Sequence, residues 1–187
     1  MKNKSLTFIT GNSGKLAEVQ AFLPFVVGKN IDLPEIQEID LQNIVEEKLR
    51  SAVALHNGSV MVDDTALYLD CFASKNGEHG LPGPLIKWFL KTVTNSGLAA
   101  VAQKLENKKA TARTIIGYCE NKKDFHFFEG VVDGSVIPPQ GTSGFGWDHI
   151  FVPEGYTKTF AKMGEKKNEV SPRSLAVNQL KNFLKQV

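Results

Sequence analysis

The chain has 187 residues, 42% of them hydrophobic and 22% charged, and a formal net charge of +2. That length supports one globular domain with a full core, taken here as residues 1–187. The near-neutral balance, with lysines no more than paired at Lys108-Lys109, Lys122-Lys123 and Lys166-Lys167, speaks against a nucleic-acid or anionic-membrane binder. Cys71 and Cys119 are far apart and lack metal-type spacing, so reduced thiols are expected. His56, His79, His126 and His149 share no ligand spacing either. No apolar run approaches bilayer length, and Met1-Lys2-Asn3-Lys4 leads straight into a strand, so the expected compartment is the cytoplasm.

In chain order, Thr7-Phe8-Ile9-Thr10 is a short apolar strand that runs into Gly11-Asn12-Ser13-Gly14-Lys15, and a helical pattern follows through Leu16, Val19, Gln20 and Leu23. Strand, Gly-rich turn and helix are an arrangement that holds phosphate: backbone N–H groups, the positive helix end and a lysine charge converge there. The spacing is not that of a Walker A loop, because two residues separate Gly11 from Gly14 and Leu16 follows the lysine. Taken alone, the segment reads rather as an ordinary βα turn, whose Gly, Asn and Ser serve backbone geometry. Phe25-Val26-Val27 reads as a second strand, and 31–40 as an extended acidic loop with Asp32, Glu35, Glu38 and Asp40.

A helix is expected from Leu41 to Leu55, with an apolar face at Leu41, Ile44, Val45, Leu49 and Ala52. Lys48 falls inside that face. It either snorkels past the core rim or aims its charge inward at an anionic ligand. The strand Ser59-Val60-Met61-Val62 then ends at Asp63-Asp64-Thr65, two carboxylates at a strand's C-terminal end, where α/β folds place ligand chemistry. Neighbouring strand residues point to opposite sides, so one of the two is expected to be primary.

After a polar loop and Leu81-Pro82-Gly83-Pro84, one helix is expected from Leu85 to Thr92 and another from Leu98 to Leu105, with Asn95-Ser96-Gly97 as the break. From Ala110 the pattern becomes β, with two strands around the 120–123 turn, so the sheet should be mixed. A turn-rich loop ends in Phe145-Gly146-Trp147-Asp148, and Ile150-Phe151-Val152 is a short strand. The last helix starts at Ser171-Pro172-Arg173, a preferred cap followed by a preferred first-turn proline.

The order of Thr10-Gly11-Asn12-Ser13-Gly14-Lys15, Val62-Asp63-Asp64-Thr65, Leu81-Pro82-Gly83-Pro84 with Ile86-Lys87-Trp88-Phe89, Phe145-Gly146-Trp147-Asp148, and Lys167-Asn168 with Ser171 and Arg173 resembles one family across nearly the whole chain. That family is the inosine triphosphate pyrophosphatases, or noncanonical purine NTP pyrophosphatases. The resemblance implies an elongated, two-lobed α/β fold around a mixed sheet flanked by helices, an active site in the cleft between lobes, and a homodimer. It implies Mg²⁺-dependent hydrolysis of ITP, dITP and XTP to the monophosphate and pyrophosphate.

Carried over by position, the resemblance implies that Thr10, Gly11, Asn12, Ser13, Gly14 and Lys15 bind the triphosphate together with Lys48 and Lys167. Glu35 and Asp64 would hold Mg²⁺, Asp64 would accept a proton with Asp63 in reserve, and Thr65 would touch substrate. Phe145, Gly146, Trp147, Asp148 and Arg173 would take the base. Arg173 only donates, which suits the 6-oxo acceptor of hypoxanthine and xanthine and disfavours adenine. One departure is Pro172, where relatives usually carry histidine; weaker or broader base selectivity is the expected result. Another is the loop Ser74-Lys75-Asn76-Gly77-Glu78-His79, which looks longer than usual and has no assigned role. The alternatives to be separated by assay are a nucleotide sensor without turnover and a pyrophosphatase of other modified triphosphates.

Overall fold

The computed structural model describes residues 5–73 and 80–186; the loop Ser74–His79 lies outside them. A seven-stranded sheet carries the fold, with strands β1 (Leu6–Ile9), β2 (Val26–Lys29), β3 (Ser59–Leu69), β4 (Pro82–Gly83), β5 (Lys109–Cys119), β6 (Phe125–Val136) and β7 (Phe151–Pro153). The order is β2-β1-β3-β5-β6-β7, with β4 paired to β3. β1 runs parallel to both β2 and β3, whereas β3–β4 and β6–β7 are antiparallel, so the sheet is mixed as expected. The helices are α1 (Ser13–Gln20), α2 (Leu41–Leu55), α3 (Ile86–Thr92), α4 (Thr94–Lys104), α5 (Phe160–Met163), α6 (Lys167–Val170) and α7 (Pro172–Leu184). No helix among the described residues is long and apolar enough to cross a membrane.

The chain divides into two compact units. The first comprises Met1–Asp64, Thr114–Gly130 and Arg173–Val187; the second comprises Thr65–Arg113 and Val131–Pro172. The first unit is layered. Leu6 and Phe8 of β1, Met61 of β3 and Ile116 and Tyr118 of β5 bury against Val19 of α1 and Ala176, Val177 and Leu180 of α7. Side chains alternate along a strand, so Val62 and Gly117 face the other way, where Val45 and Leu49 of α2 lie against them. In the second unit Leu67, Leu69, Ile86, Leu98, Phe151 and Phe160 form a separate apolar cluster.

Two expectations are corrected. β3 does not end at Asp63-Asp64 but continues to Leu69, with Ala66, Leu67, Tyr68 and Leu69 all buried. The carboxylates therefore sit mid-strand. That placement is stable because cations meet them there, as described below. Asn95-Ser96-Gly97 is likewise no break: it forms the first turn of α4, and the helical run is interrupted at Val93-Thr94, where Thr94 has φ of 64°. Small polar residues favour a first helical turn as readily as a loop.

Candidate active site

In the first unit the site is built from the turn between β1 and α1. Asn12 caps α1, its Oδ1 accepting the Lys15 N–H at 3.1 Å, while Thr10 Oγ1 accepts the Asn12 N–H at 3.1 Å. The turn's own side chains thus order its backbone, with Lys15 in the first turn of the helix that follows.

Strand alternation then sorts the two aspartates. Asp63 shares the face of Met61, toward α1 and α7. Its Oδ1 accepts from Lys15 Nζ at 3.0 Å and its Oδ2 from Arg173 Nε at 2.9 Å. Asp63 is 3% exposed. Burial alone would push its carboxyl up, but the charges of Lys15 and Arg173, the Lys15 hydrogen bond and the more distant Lys48 hold it down at about 2. Asp64 shares the face of Val62, toward α2, and its Oδ2 accepts from Lys48 Nζ at 3.2 Å. The same Nζ lies 3.0 Å from Glu35 Oε1. Burial would lower the Lys48 ammonium, but Asp64, Glu35 and Asp63 outweigh it and raise it to about 12. Lys15 Nζ also lies 4.0 Å from Asp64 Oδ1, so it faces both carboxylates.

Lys48 does not snorkel past the rim: its Nζ is turned to the chain's own carboxylates, Asp64 and Glu35. Lys48 is 8% exposed in the middle of the buried face of α2, whose first turn Asp40 caps by accepting from Gln42 N–H at 2.8 Å. Glu18, not singled out from the sequence, joins the site by accepting from Arg173 Nη1. Its only sequence signal was its place three residues after Lys15 on one helix face.

The second unit holds Phe145, Gly146, Trp147, Asp148 and Lys167. Lys167 Nζ donates to Asp148 Oδ2 at 2.7 Å and lies 4.6 Å from the centre of the Phe145 ring. Asp148 Oδ2 also accepts the Phe145 N–H at 2.9 Å, closing a tight turn. Gly144 makes that approach feasible: its φ is +83°, and a Cβ there would stand 2.5 Å from Asp148 Oδ2. Asn95 Nδ2 donates to Gly146 O at 2.9 Å, a support that sequence reading missed. Trp147 meets Phe151 edge-on at 5.4 Å and lies 6.0 Å from Phe160. Its ring is packed against this unit's apolar cluster. Thr65 is the next residue of β3 after Asp64.

Residues 6–183 match the Ham1 family. The chain is 40% identical over 186 residues to the inosine triphosphate pyrophosphatase of Schizosaccharomyces pombe, covering 97% of this chain and 95% of that protein.

The chain belongs to the Ham1 family.

The inosine triphosphate pyrophosphatase of Saccharomyces cerevisiae is 39% identical over 200 residues, covering 100% of this Ham1 chain and 98% of that one. Among solved structures, the Ham1 protein of Staphylococcus aureus shares the fold with a TM-score of 0.78 at 21% identity, covering 98% of this chain and 99% of that chain. A dITP/XTP pyrophosphatase from Mycobacterium abscessus superposes with a TM-score of 0.67 at 26% identity, covering 94% and 98%.

For the Ham1 chain, then, the first unit brings Lys15, Lys48, Glu35, Asp63, Asp64 and Arg173 into one charged network. In this network Arg173, expected to take a base, is 5% exposed and donates to Asp63 and Glu18. Lys167, expected to bind a phosphate, donates to Asp148 in the second unit.

Proposed function

We propose that this chain hydrolyses noncanonical purine nucleoside triphosphates, namely ITP, dITP and XTP, to the monophosphate and pyrophosphate. We further propose that it does so with Mg²⁺, as a homodimer, in the cytoplasm. The observation that carries the reading is the convergence of Glu35 Oε1 and Asp64 Oδ2 on one cationic atom, at 3.0 and 3.2 Å. Two carboxylates that meet one positive centre are a donor set of hard oxygens. No group of three or more His, Cys, Asp and Glu side chains gathers as a metal cage among the described residues. A pair of carboxylates completed by phosphate oxygens and water is how Mg²⁺ is usually held, so Glu35 and Asp64 fit it. When bound, Mg²⁺ would neutralise charge on the phosphate oxygens.

The chain's own groups account for the rest. The 10–14 turn and the start of α1 offer N–H donors to phosphate. Lys15 and Lys48 donate to phosphate oxygens and stabilise the charge that builds as water attacks the α-phosphorus. Asp64 takes the proton from that water. Asp63 is poorly suited to the task, because a carboxyl held at about 2 is a weak base. Thr65 orients substrate beside Asp64. To Phe145, Gly146, Trp147 and Asp148 we assign the base, and to Lys167 a phosphate.

The test is pyrophosphate release from ITP, XTP, dITP, GTP and ATP, with and without Mg²⁺, for the wild type and Asp64→Asn. Metal-dependent turnover of ITP and XTP that the variant loses is the expected result. Tight nucleotide binding without turnover would overturn the enzyme reading in favour of a sensor. Light scattering after size-exclusion chromatography tests the dimer, and cell fractionation the compartment.

A further inference from the structure

We propose that Asn95 is a positioning residue for the turn that takes the base: it fixes the peptide between Gly146 and Trp147 in one of two orientations. The inference rests on the assignment of Phe145, Gly146, Trp147 and Asp148 to the base, but its structural half is read without nucleotide.

Phe145 to Asp148 form a turn closed by the Asp148 N–H, which donates to Phe145 O at 3.1 Å. The Gly146–Trp147 peptide is the middle of that turn. The peptides on either side are held from within this segment, Phe145 O by the closing bond and Trp147 O by the Ile150 N–H at 3.1 Å. The middle one is held from outside. Asn95, in the first turn of α4 and 51 residues away, donates from Nδ2 to Gly146 O at 2.9 Å.

A middle peptide can turn over while the closing bond of the turn stays intact. Glycine resists that change least. Gly146 has φ of +59°, and a Cβ added there would meet nothing within 4 Å, so packing does not hold it. The Asn95 amide supplies the constraint. A planar trans peptide directs its C=O and N–H oppositely, so a reversed one would turn the Trp147 N–H toward α4. Each face of the turn would then exchange an acceptor for a donor. A purine edge is itself a pattern of donors and acceptors, so the exchange alters which base fits.

Two unfavourable features accompany this amide. Asn95 Oδ1 is buried without a hydrogen-bond partner among the described residues. Thr94 beside it, a β-branched residue, holds φ of 64°. Alanine at position 95 would remove the buried orphan and suit α4 better, so the helix alone does not account for asparagine.

The experiment compares Asn95→Ala and Asn95→Asp with the wild type. Trp88 is the only other tryptophan, so in a Trp88→Phe background isotope labelling of tryptophan nitrogen leaves one backbone amide signal, that of Trp147. Nuclear magnetic resonance is expected to show it as a single state with Asn95 and in exchange with a second state in Asn95→Ala. In Asn95→Asp, whose carboxylate repels the Gly146 oxygen and accepts from the Trp147 N–H, it should move toward that second position. KM for ITP should rise about fivefold in Asn95→Ala and about tenfold or more in Asn95→Asp, with kcat changing less. The inhibition constant of inorganic triphosphate, which has no base, should stay within about twofold. The melting temperature of Asn95→Ala should stay within about 3 °C of the wild type, because the lost donor is offset by the lost orphan acceptor. An unmoved Trp147 amide or an unchanged KM would overturn the proposal. So would triphosphate inhibition weakened as much as ITP binding, or a larger fall in melting temperature. Should Asn95→Asp fail to fold by circular dichroism, Asn95→Ala decides alone. A shifted Trp147 amide in a protein that turns over no ITP would reject the hydrolase reading and leave Asn95 as the residue that sets the turn.

Discussion

Replacing Asp63 with asparagine preserves the side chain's size and removes the charge that Lys15 and Arg173 share. In the folded chain the Asp63 carboxyl sits at about 2 in place of the ordinary 3.8, because the two cations outweigh the opposing effect of burial. That gap corresponds to roughly 2–3 kcal/mol of folding stability at neutral pH. The folded value lies below the unfolded one. The contribution is therefore complete above about pH 5, declines as pH falls through 3.8, and is gone below about 2. The variant also leaves the buried Arg173 without one of its carboxylates, and breaking one side of a buried pair costs about 3–5 kcal/mol. Asp63→Asn is thus expected to lose about 3–5 kcal/mol at pH 7, with roughly 2–3 kcal/mol of that deficit vanishing between pH 5 and pH 2. Urea unfolding followed by far-UV circular dichroism at pH 7 and 5 measures the full deficit, and at pH 3 its decline, about 1 kcal/mol by that point. A deficit that stays constant across the three pH values would refute the account.

Other substitutions probe separate links. Gly134→Ala would bring a Cβ to 2.3 Å from the Val152 carbonyl oxygen, so β7 must shift and the melting temperature should fall by an amount corresponding to about 1–3 kcal/mol. Lys167→Met strips the ammonium from Asp148, a carboxylate 3% exposed, and differential scanning calorimetry should register a loss of about 3–5 kcal/mol. Asp40→Ala removes the cap of α2 and should cost about 1 kcal/mol in a denaturant titration. Pro172→His should sharpen the ITP-over-GTP preference in steady-state kinetics; an unchanged ratio would separate this position from base selectivity.

The elements that could be read from the sequence are those where periodicity and punctuation agree. α2 runs from Leu41 to Leu55 as its apolar spacing requires, and α7 begins at Pro172 for the reason that proline suits a first turn. The mixed sheet followed from a parallel-type opening and a hairpin-like second half. β3 was misread because a pair of carboxylates normally ends an apolar strand, and the cations that permit them mid-strand come from residues 15, 48 and 173. Such pairing is non-local, and no window along the chain contains it. The same reason hid Glu18, whose partner Arg173 lies 155 residues away. Lys48 was undecidable locally, since a snorkelling lysine and an inward one occupy the same helical position. The short helices at Phe160–Met163 and Lys167–Val170 carry too few residues to show a period.

The link from Asp63 to Arg173 spans 110 residues, which makes it an event in the chain's biosynthesis as well as in its fold. At about 5–20 residues per second, Arg173 is made on the order of 5–20 s after Asp63. Through that interval β1, α1 and β3 exist without the guanidinium, and the face of Met61 lacks the apolar side of α7 that later covers it. The first unit to be started is the last to be finished. A nascent chain stalled before α7 would present two carboxylates and an uncovered apolar sheet face together, a surface suited to recognition by a chaperone until the final helix arrives.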